Sequence, residues 1–155
     1  MPGEKIIIGS DHAGFRLKEA VKSHLALRGL AVTDVGTVSP EPVDYPLFGA
    51  EAAARVSSGE FSRGILICGS GIGIAVVANK FPDVRAAVCL DEETARLGRL
   101  HNDINVLCLA GRRTEPARAE RIVDIWLETD FEGGRHLRRI ERIREIEARI
   151  CRSRR

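Results

Sequence analysis

No stretch of this chain is apolar for long enough to cross a bilayer, which excludes a transmembrane helix. Aromatic residues are scarce, with one Trp, one Tyr and five Phe among 155 residues. Aliphatic side chains must therefore fill the interior, as in α/β proteins whose strands are buried on both faces. The four cysteines (Cys68, Cys89, Cys108 and Cys151) stand far apart and lack the paired spacing of a zinc site. Three of them lie in or at the end of apolar strand patterns. That fits reduced thiols in a cytoplasmic protein rather than a disulfide framework. Met-Pro-Gly-Glu-Lys leads directly into a strand pattern, so no signal peptide is expected. Linkers and repeats are also missing, so one domain is expected over residues 1–155.

Two nucleotide-binding signatures fail on spacing. A dinucleotide fingerprint counted from Gly69 needs glycine in sixth place, where Ile74 stands, and a P-loop needs a lysine earlier than Lys80. What occupies this place instead is Ile65-Leu-Ile-Cys-Gly-Ser-Gly-Ile-Gly73. An apolar strand pattern ends at Cys68, three glycines follow within five residues, and small apolar residues continue as a helix would. Such a strand–turn–helix leaves backbone N–H groups unpaired at the helix start, where they attract negative charge. The same dipole favours thiolate at a neighbouring cysteine. Glycines alone would suit a tight packing turn; with Cys68 beside them, a candidate base and a candidate anion hole share one segment.

The hydrophobic periodicity alternates strand and helix. Strands are expected at Lys5–Gly9, Ala31–Val35, Gly64–Cys68, Arg85–Leu90 and Asn105–Leu109. Leu17, Ala20, Val21 and Leu25 share one helical face, and so do Ala119, Ile122, Val123, Trp126 and Leu127. A helix is expected over Leu47–Ser57, and another from the glycine turn to Lys80. Asp91-Glu-Glu-Thr94 has the cap and acidic first turn of a helix start. The sum is a single-domain, Rossmann-like three-layer α/β/α sandwich with a five-stranded parallel sheet. Ligands of such sheets bind beyond the carboxyl ends of the strands. Asp11, His12, Tyr45 and Cys68 all fall on that rim.

The charge is uneven. Residues 135–155 hold nine arginines against three glutamates, whereas the preceding part holds 15 basic and 19 acidic residues. No nucleic-acid motif accompanies the basic end, so a nucleic-acid partner is not expected. Leu137, Ile140, Ile143, Ile146 and Ile150 instead mark a narrow apolar seam, the edge of a helix packing on a partner subunit or back on its own domain. The expected division is a core over about 1–130, a dimerisation helix over about 135–151 and a frayed basic end at 152–155.

Gly9-Ser-Asp-His-Ala-Gly-Phe-Arg-Leu-Lys18, Val43-Asp-Tyr-Pro46, Ile67-Cys-Gly-Ser-Gly-Ile-Gly73, Ala78-Asn-Lys80, His101-Asn-Asp103 and Phe131-Glu-Gly-Gly-Arg-His136 together resemble the type B ribose-5-phosphate isomerases, whose relatives include allose- and galactose-6-phosphate isomerases. The resemblance spans nearly the whole chain. It implies cofactor-free, metal-free interconversion of ribose 5-phosphate and ribulose 5-phosphate through an enediolate. It also implies a homodimer, in some members a dimer of dimers, with sites shared between subunits.

By that resemblance Cys68 takes the C2 proton. The backbone of Gly69, Gly71, Ile72 and Gly73 holds the enediolate, and Ser70 relays protons between its oxygens. One branch of the family places a glutamate just after the third glycine; here Ile74 occupies that position and cannot act as a base. His101 matches the ring-opening residue, with Asp11 near the ring hydroxyls, Asn102 on a sugar hydroxyl and Tyr45 lining the pocket. His12, Arg112, Arg135 and Arg139 match the phosphate side, where guanidinium groups suit a dianion. Cys89 and Cys108 read as inert core residues, His24 as part of a helix, and Arg138 and Arg142 as solvated charges. Two other readings are a six-carbon sugar-phosphate isomerase and a non-catalytic sugar-phosphate binder; the joint presence of Cys68, Asp11 and His101 argues against the binder.

Overall fold

The computed structural model of the chain describes residues 4–154. Five strands, β1 (Lys5–Ser10), β2 (Ala31–Asp34), β3 (Arg63–Cys68), β4 (Ala86–Val88) and β5 (Val106–Ala110), form one parallel sheet in the order β2-β1-β3-β5-β4. The six helices are α1 (Phe15–Leu27), α2 (Tyr45–Ser57), α3 (Ile72–Ala78), α4 (Glu92–Asn102), α5 (Pro116–Glu128) and α6 (Arg135–Ser153).

The near-continuous apolar runs of β1, β3 and β5 are buried because helices cover both faces. Leu17, Val21 and Leu25 of α1 and Ile122, Val123 and Trp126 of α5 meet Ile6, Ile8, Ile65, Ile67, Leu107 and Leu109 on one face. Ala52, Ala53 and Val56 of α2 with Ile74, Ala75 and Ala78 of α3 meet Ile7, Leu66, Cys68, Val106 and Cys108 on the other. The single Trp is fully buried and its indole N–H donates to the Ile104 carbonyl at 3.2 Å, so its polar edge is satisfied.

Element bounds shift slightly from the periodicity. The fourth strand is shorter than Arg85–Leu90 because β4 is an edge strand paired only through Ala86–Val88. The chain must also leave the sheet before Asp91, whose carboxylate accepts from the Thr94 N–H at 2.7 Å and caps α4. The helix after the glycine turn ends at Ala78 rather than Lys80, because the Asn79 side chain turns to bond both backbone groups of Ala86. Tyr45, expected in the loop, is the first residue of α2, with Pro46 at the helix start. Helix α6 continues past residue 151 through Ser153, whose hydroxyl donates to the Ile150 carbonyl at 2.9 Å, and Arg155, in the end expected to fray, lies outside the described residues.

Helix α6 packs on its own domain at its start, where His136 and Ile140 are buried near α4. Further along, Glu147 accepts from the Asp83 N–H at 2.8 Å and Arg144 lies 3.5 Å from the Asp83 carboxylate. Leu137, Ile143, Ile146 and Ile150 are 44–48% exposed. No helix among the described residues is long and apolar enough to cross a membrane.

Candidate active site

The helix after β1 lies on one face of the sheet and the helix after β3 on the other, so the chain diverges at the carboxyl ends of these neighbouring strands. A crevice opens there. Three loops meet in it and are tied by backbone hydrogen bonds: Asp11 N–H to Ile67 O (3.3 Å), Gly111 N–H to Cys68 O (2.8 Å) and Arg112 N–H to Gly69 O (3.1 Å). The resulting cavity of about 580 Å3 is lined by Asp11, His12, Tyr45, Cys68, Gly69, Ser70, Ile72, Gly73 and Arg112, together with Ala13 and Arg113. Most of the residues named from sequence are thus brought together. Ala13 and Arg113 were missed; for Arg113 the available signal was its place directly after Arg112 at the end of the fifth strand.

Cys68 is the last residue of β3 and only 4% exposed, yet it faces this cavity. The two other strand-associated cysteines do not. Burial, reinforced by Asp91, pushes the Cys89 thiol up to about 12, and burial pushes Cys108 well above the ordinary thiol range. Both stay protonated near neutral pH. Gly71 stands at φ +76°, a conformation that costs an L side chain, and turns the chain from strand into α3. The Ser70 hydroxyl accepts from Ile72 N–H at 3.2 Å. Among the described residues, the Gly71 and Gly73 N–H groups have no acceptor, so they remain available to an anion. A Cβ on Gly73 would come within 2.6 Å of the Tyr45 ring, so this glycine is what lets the phenol lie across the loop.

Asp11 accepts from Gly14 N–H at 3.0 Å, a turn-forming bond that also fixes its carboxylate at the cavity wall. His12 Nδ1 sits 3.1 Å from Val43 N and 3.2 Å from Val43 O. Neutral His12 can accept there and keep its Nε2 proton for a ligand; as a cation it donates to the carbonyl instead. Either state pins the β2–α2 loop to the site. The Arg112 guanidinium packs against Gly69, with its Nη1 3.0 Å from where a Cβ would stand.

His101, Asn102, Arg135 and Arg139 are not in this cavity. His101 and Asn102, in the last turn of α4, line a second opening of about 590 Å3 with Arg85, Thr94, Leu97 and the exposed Ile143 of α6. Asn102 does not cap its helix: Asp103 does, at φ +46°, with its carboxylate held by Arg85 (3.1 Å) and Arg99 (2.7 Å). Arg135 and Arg139 are exposed at the start of α6.

His136, for which sequence reasoning gave no role, lies flat against His101 with ring centroids 4.3 Å apart. Burial, then the neighbouring His101, Arg135 and Arg139, lower its pKa below the ordinary histidine value despite Glu132. His24, set aside from the site, bonds Asp124 of α5 at 2.7 Å.

The model of the ribose/galactose isomerase family matches residues 6–143. Ribose-5-phosphate isomerase B of Escherichia coli K12 is 48% identical over 146 residues, covering 94% of this chain and 98% of that protein. The structure of Clostridium thermocellum ribose-5-phosphate isomerase B is similar with a TM-score of 0.92 at 50% identity, covering 94% and 99% of the two chains. That of Mycoplasma genitalium ribose-5-phosphate isomerase B with bound ribulose-5-phosphate gives 0.90 at 40% identity, covering 94% and 97%.

Proposed function

This chain belongs to the ribose/galactose isomerase family, and from that premise we propose that it interconverts D-ribose 5-phosphate and D-ribulose 5-phosphate. The observation that carries the reading is Cys68: a strand-end thiol opening onto a cavity with free backbone donors on one side and His12 and Arg112 on the other.

The reaction needs four things of the site. The furanose must open, so an imidazole, assigned to His101, takes the anomeric hydroxyl proton and returns one to the ring oxygen as the C1–O bond breaks. Asp11 holds ring hydroxyls and Asn102 a further one. The Cys68 thiolate then removes the C2 proton from the open aldose, leaving an enediolate whose charge spreads onto O1. N–H donors of the Gly69–Gly73 loop stabilise that charge, in a site that keeps water out once filled. Ser70 carries the O2 proton to O1, and the Cys68 thiol delivers its proton to C1, giving the ketose. His12, Arg112, Arg135 and Arg139 neutralise the phosphate.

A single chain keeps Cys68 and His101 in separate openings, and α6 carries an uncovered apolar seam beside the second one. Both features support a homodimer in which each pocket combines Cys68 of one subunit with His101, Asn102, Arg135 and Arg139 of the other. The apolar stripe supplies the contact, since exposed Leu137, Ile143, Ile146 and Ile150 gain by leaving water. A small polar metabolite as substrate fits a cytoplasmic enzyme of carbohydrate metabolism.

The test is an assay of purified protein offered ribose 5-phosphate and allose 6-phosphate, with a chelator present. Turnover of the five-carbon sugar, faster than of the six-carbon one, is expected. Preference for allose 6-phosphate would reassign the substrate, and binding without turnover of either would make the protein a binder.

A further inference from the structure

Where α4 ends and α6 begins, three donor atoms converge on one another. His101 sits in the last turn of α4, Glu132 in the segment between α5 and α6, and His136 in the first turn of α6. Glu132 Oε2 lies 3.1 Å from His136 Nε2 and 3.9 Å from His101 Nε2. The two imidazole planes are 11° from parallel. All three ligating atoms fall within 4.8 Å of one another, the one such set of three among the described residues. We propose that His101, Glu132 and His136 form a site for a transition-metal dication, zinc foremost, and that metal bound there withdraws His101 from ring opening. The second half rests on the role proposed for His101 above.

The donor set selects the class of ion. Two imidazoles and one carboxylate suit zinc and its neighbours, whereas calcium and magnesium require oxygen ligands. Three protein ligands leave a fourth position for water or an anion, the arrangement of exchangeable rather than structural zinc. Bonds of about 2.0–2.2 Å set tetrahedral neighbours roughly 3.3 Å apart. Glu132 and His136 already stand at that separation. His101 stands a little far, and stacked rings send their lone pairs side by side instead of to a point. Its ring must therefore tilt, and at 39% exposure it has room to do so.

The other two ligands are held in place. His136 is buried and its N–H donates to Gly133 O at 3.0 Å. The Glu132 N–H donates to Leu100 O at 3.1 Å, which ties the loop to the same turn of α4 that carries His101. Arg135 opposes the metal, its Nε lying 3.4 Å from His136 Nε2. Binding is therefore weaker than at a closed four-ligand site, which makes the metal an inhibitor that comes and goes.

Tag-free protein titrated with Co2+ provides the test. Visible absorption of four-coordinate cobalt should appear, saturate at one ion per chain and vanish when Zn2+ is added. Glu132→Gln keeps the backbone anchor on an exposed residue, so it should fold; it should weaken cobalt binding about tenfold or more and relieve zinc inhibition, with metal-free turnover unchanged. Cys68→Ala should bind cobalt as the parent does. Absence of saturable binding, equal binding by Glu132→Gln and His136→Gln, or loss of binding in Cys68→Ala would each overturn the site. Cobalt binding in a protein that isomerises nothing would keep the site and remove the isomerase reading. Binding without inhibition would keep the metal and take ring opening away from His101.

Discussion

Cys68 ends β3, Cys89 follows β4 and Cys108 lies in the middle of β5; all three are buried, and burial alone does not tell them apart. Their surroundings do. Cys89 and Cys108 face apolar side chains and are held as thiols, Cys89 with a pKa pushed up to about 12. Cys68 opens onto the cavity. Iodoacetamide at pH 8, mapped by mass spectrometry, should therefore modify exposed Cys151 first and Cys68 next, leaving Cys89 and Cys108 intact. Loss of activity should follow the Cys68 adduct and be slowed by a sugar-phosphate analogue; inactivation that follows Cys151 would point elsewhere. Cys68→Ala should lose essentially all turnover, a fall of 10²-fold or more of the kind a missing base produces, while still binding substrate through His12, Arg112 and the loop donors. His101→Asn should slow the cyclic sugar far more than an analogue unable to cyclise. Equal slowing of both would show that His101 serves binding or fold instead. Cys68 was legible in the sequence because one short segment carries strand, turn and helix start together. The His101–His136 stack was not, since 35 residues separate the pair and only the packing of α4 on α6 brings the rings into contact.

At the level of elements, strand identity and order of appearance were readable from aliphatic periodicity, whereas ends were decided by single side-chain bonds. Asn79 on Ala86 and Asp91 on Thr94 illustrate this. A third case ties edge strand β2 to the domain. Fully buried Lys18 of α1 reaches Asp34 at 2.5 Å, and Lys22 reaches it at 2.7 Å. Burial works to raise the Asp34 pKa, but hydrogen bonds from Lys18, Lys22 and the Gly36 N–H outweigh it and hold it below the ordinary 3.8. A carboxylate with a lowered folded pKa stabilises the fold fully above its unfolded value, and that contribution disappears as pH falls through the folded one. Asp34→Asn should thus cost about 2 kcal/mol at pH 7, read from urea melts, with the gap to the parent closing below about pH 3.8. A gap that stays constant into acid would mean that Asp34 acts through the Gly36 turn rather than through charge.

For the molecule as a whole, the sheet's rim explains half of the candidate site, and the remainder depends on what covers α6. The helix turns Ile140 and His136 inward and leaves Leu137, Ile143, Ile146 and Ile150 half exposed along one stripe. The exposed stripe was foreseeable from the spacing of the isoleucines, although Ile140, expected in it, packs inward instead. The distance between the two openings was not, because periodicity says which face is apolar but not where that face lies relative to Cys68. If two chains meet along this seam, a pocket draws Cys68 from one and Arg135 from the other. A Cys68→Ala chain and an Arg135→Ala chain, each nearly inactive as homodimers, should then recover activity when mixed. In a mixed dimer one pocket receives both lesions and the other receives neither, so recovery should approach about half the parent rate per mixed dimer, because the intact pocket is complete. Native mass spectrometry establishes that mixed dimers have formed. Mixed dimers that remain inactive would mean that every pocket is built from one chain, and the apolar seam would then join subunits without completing their chemistry.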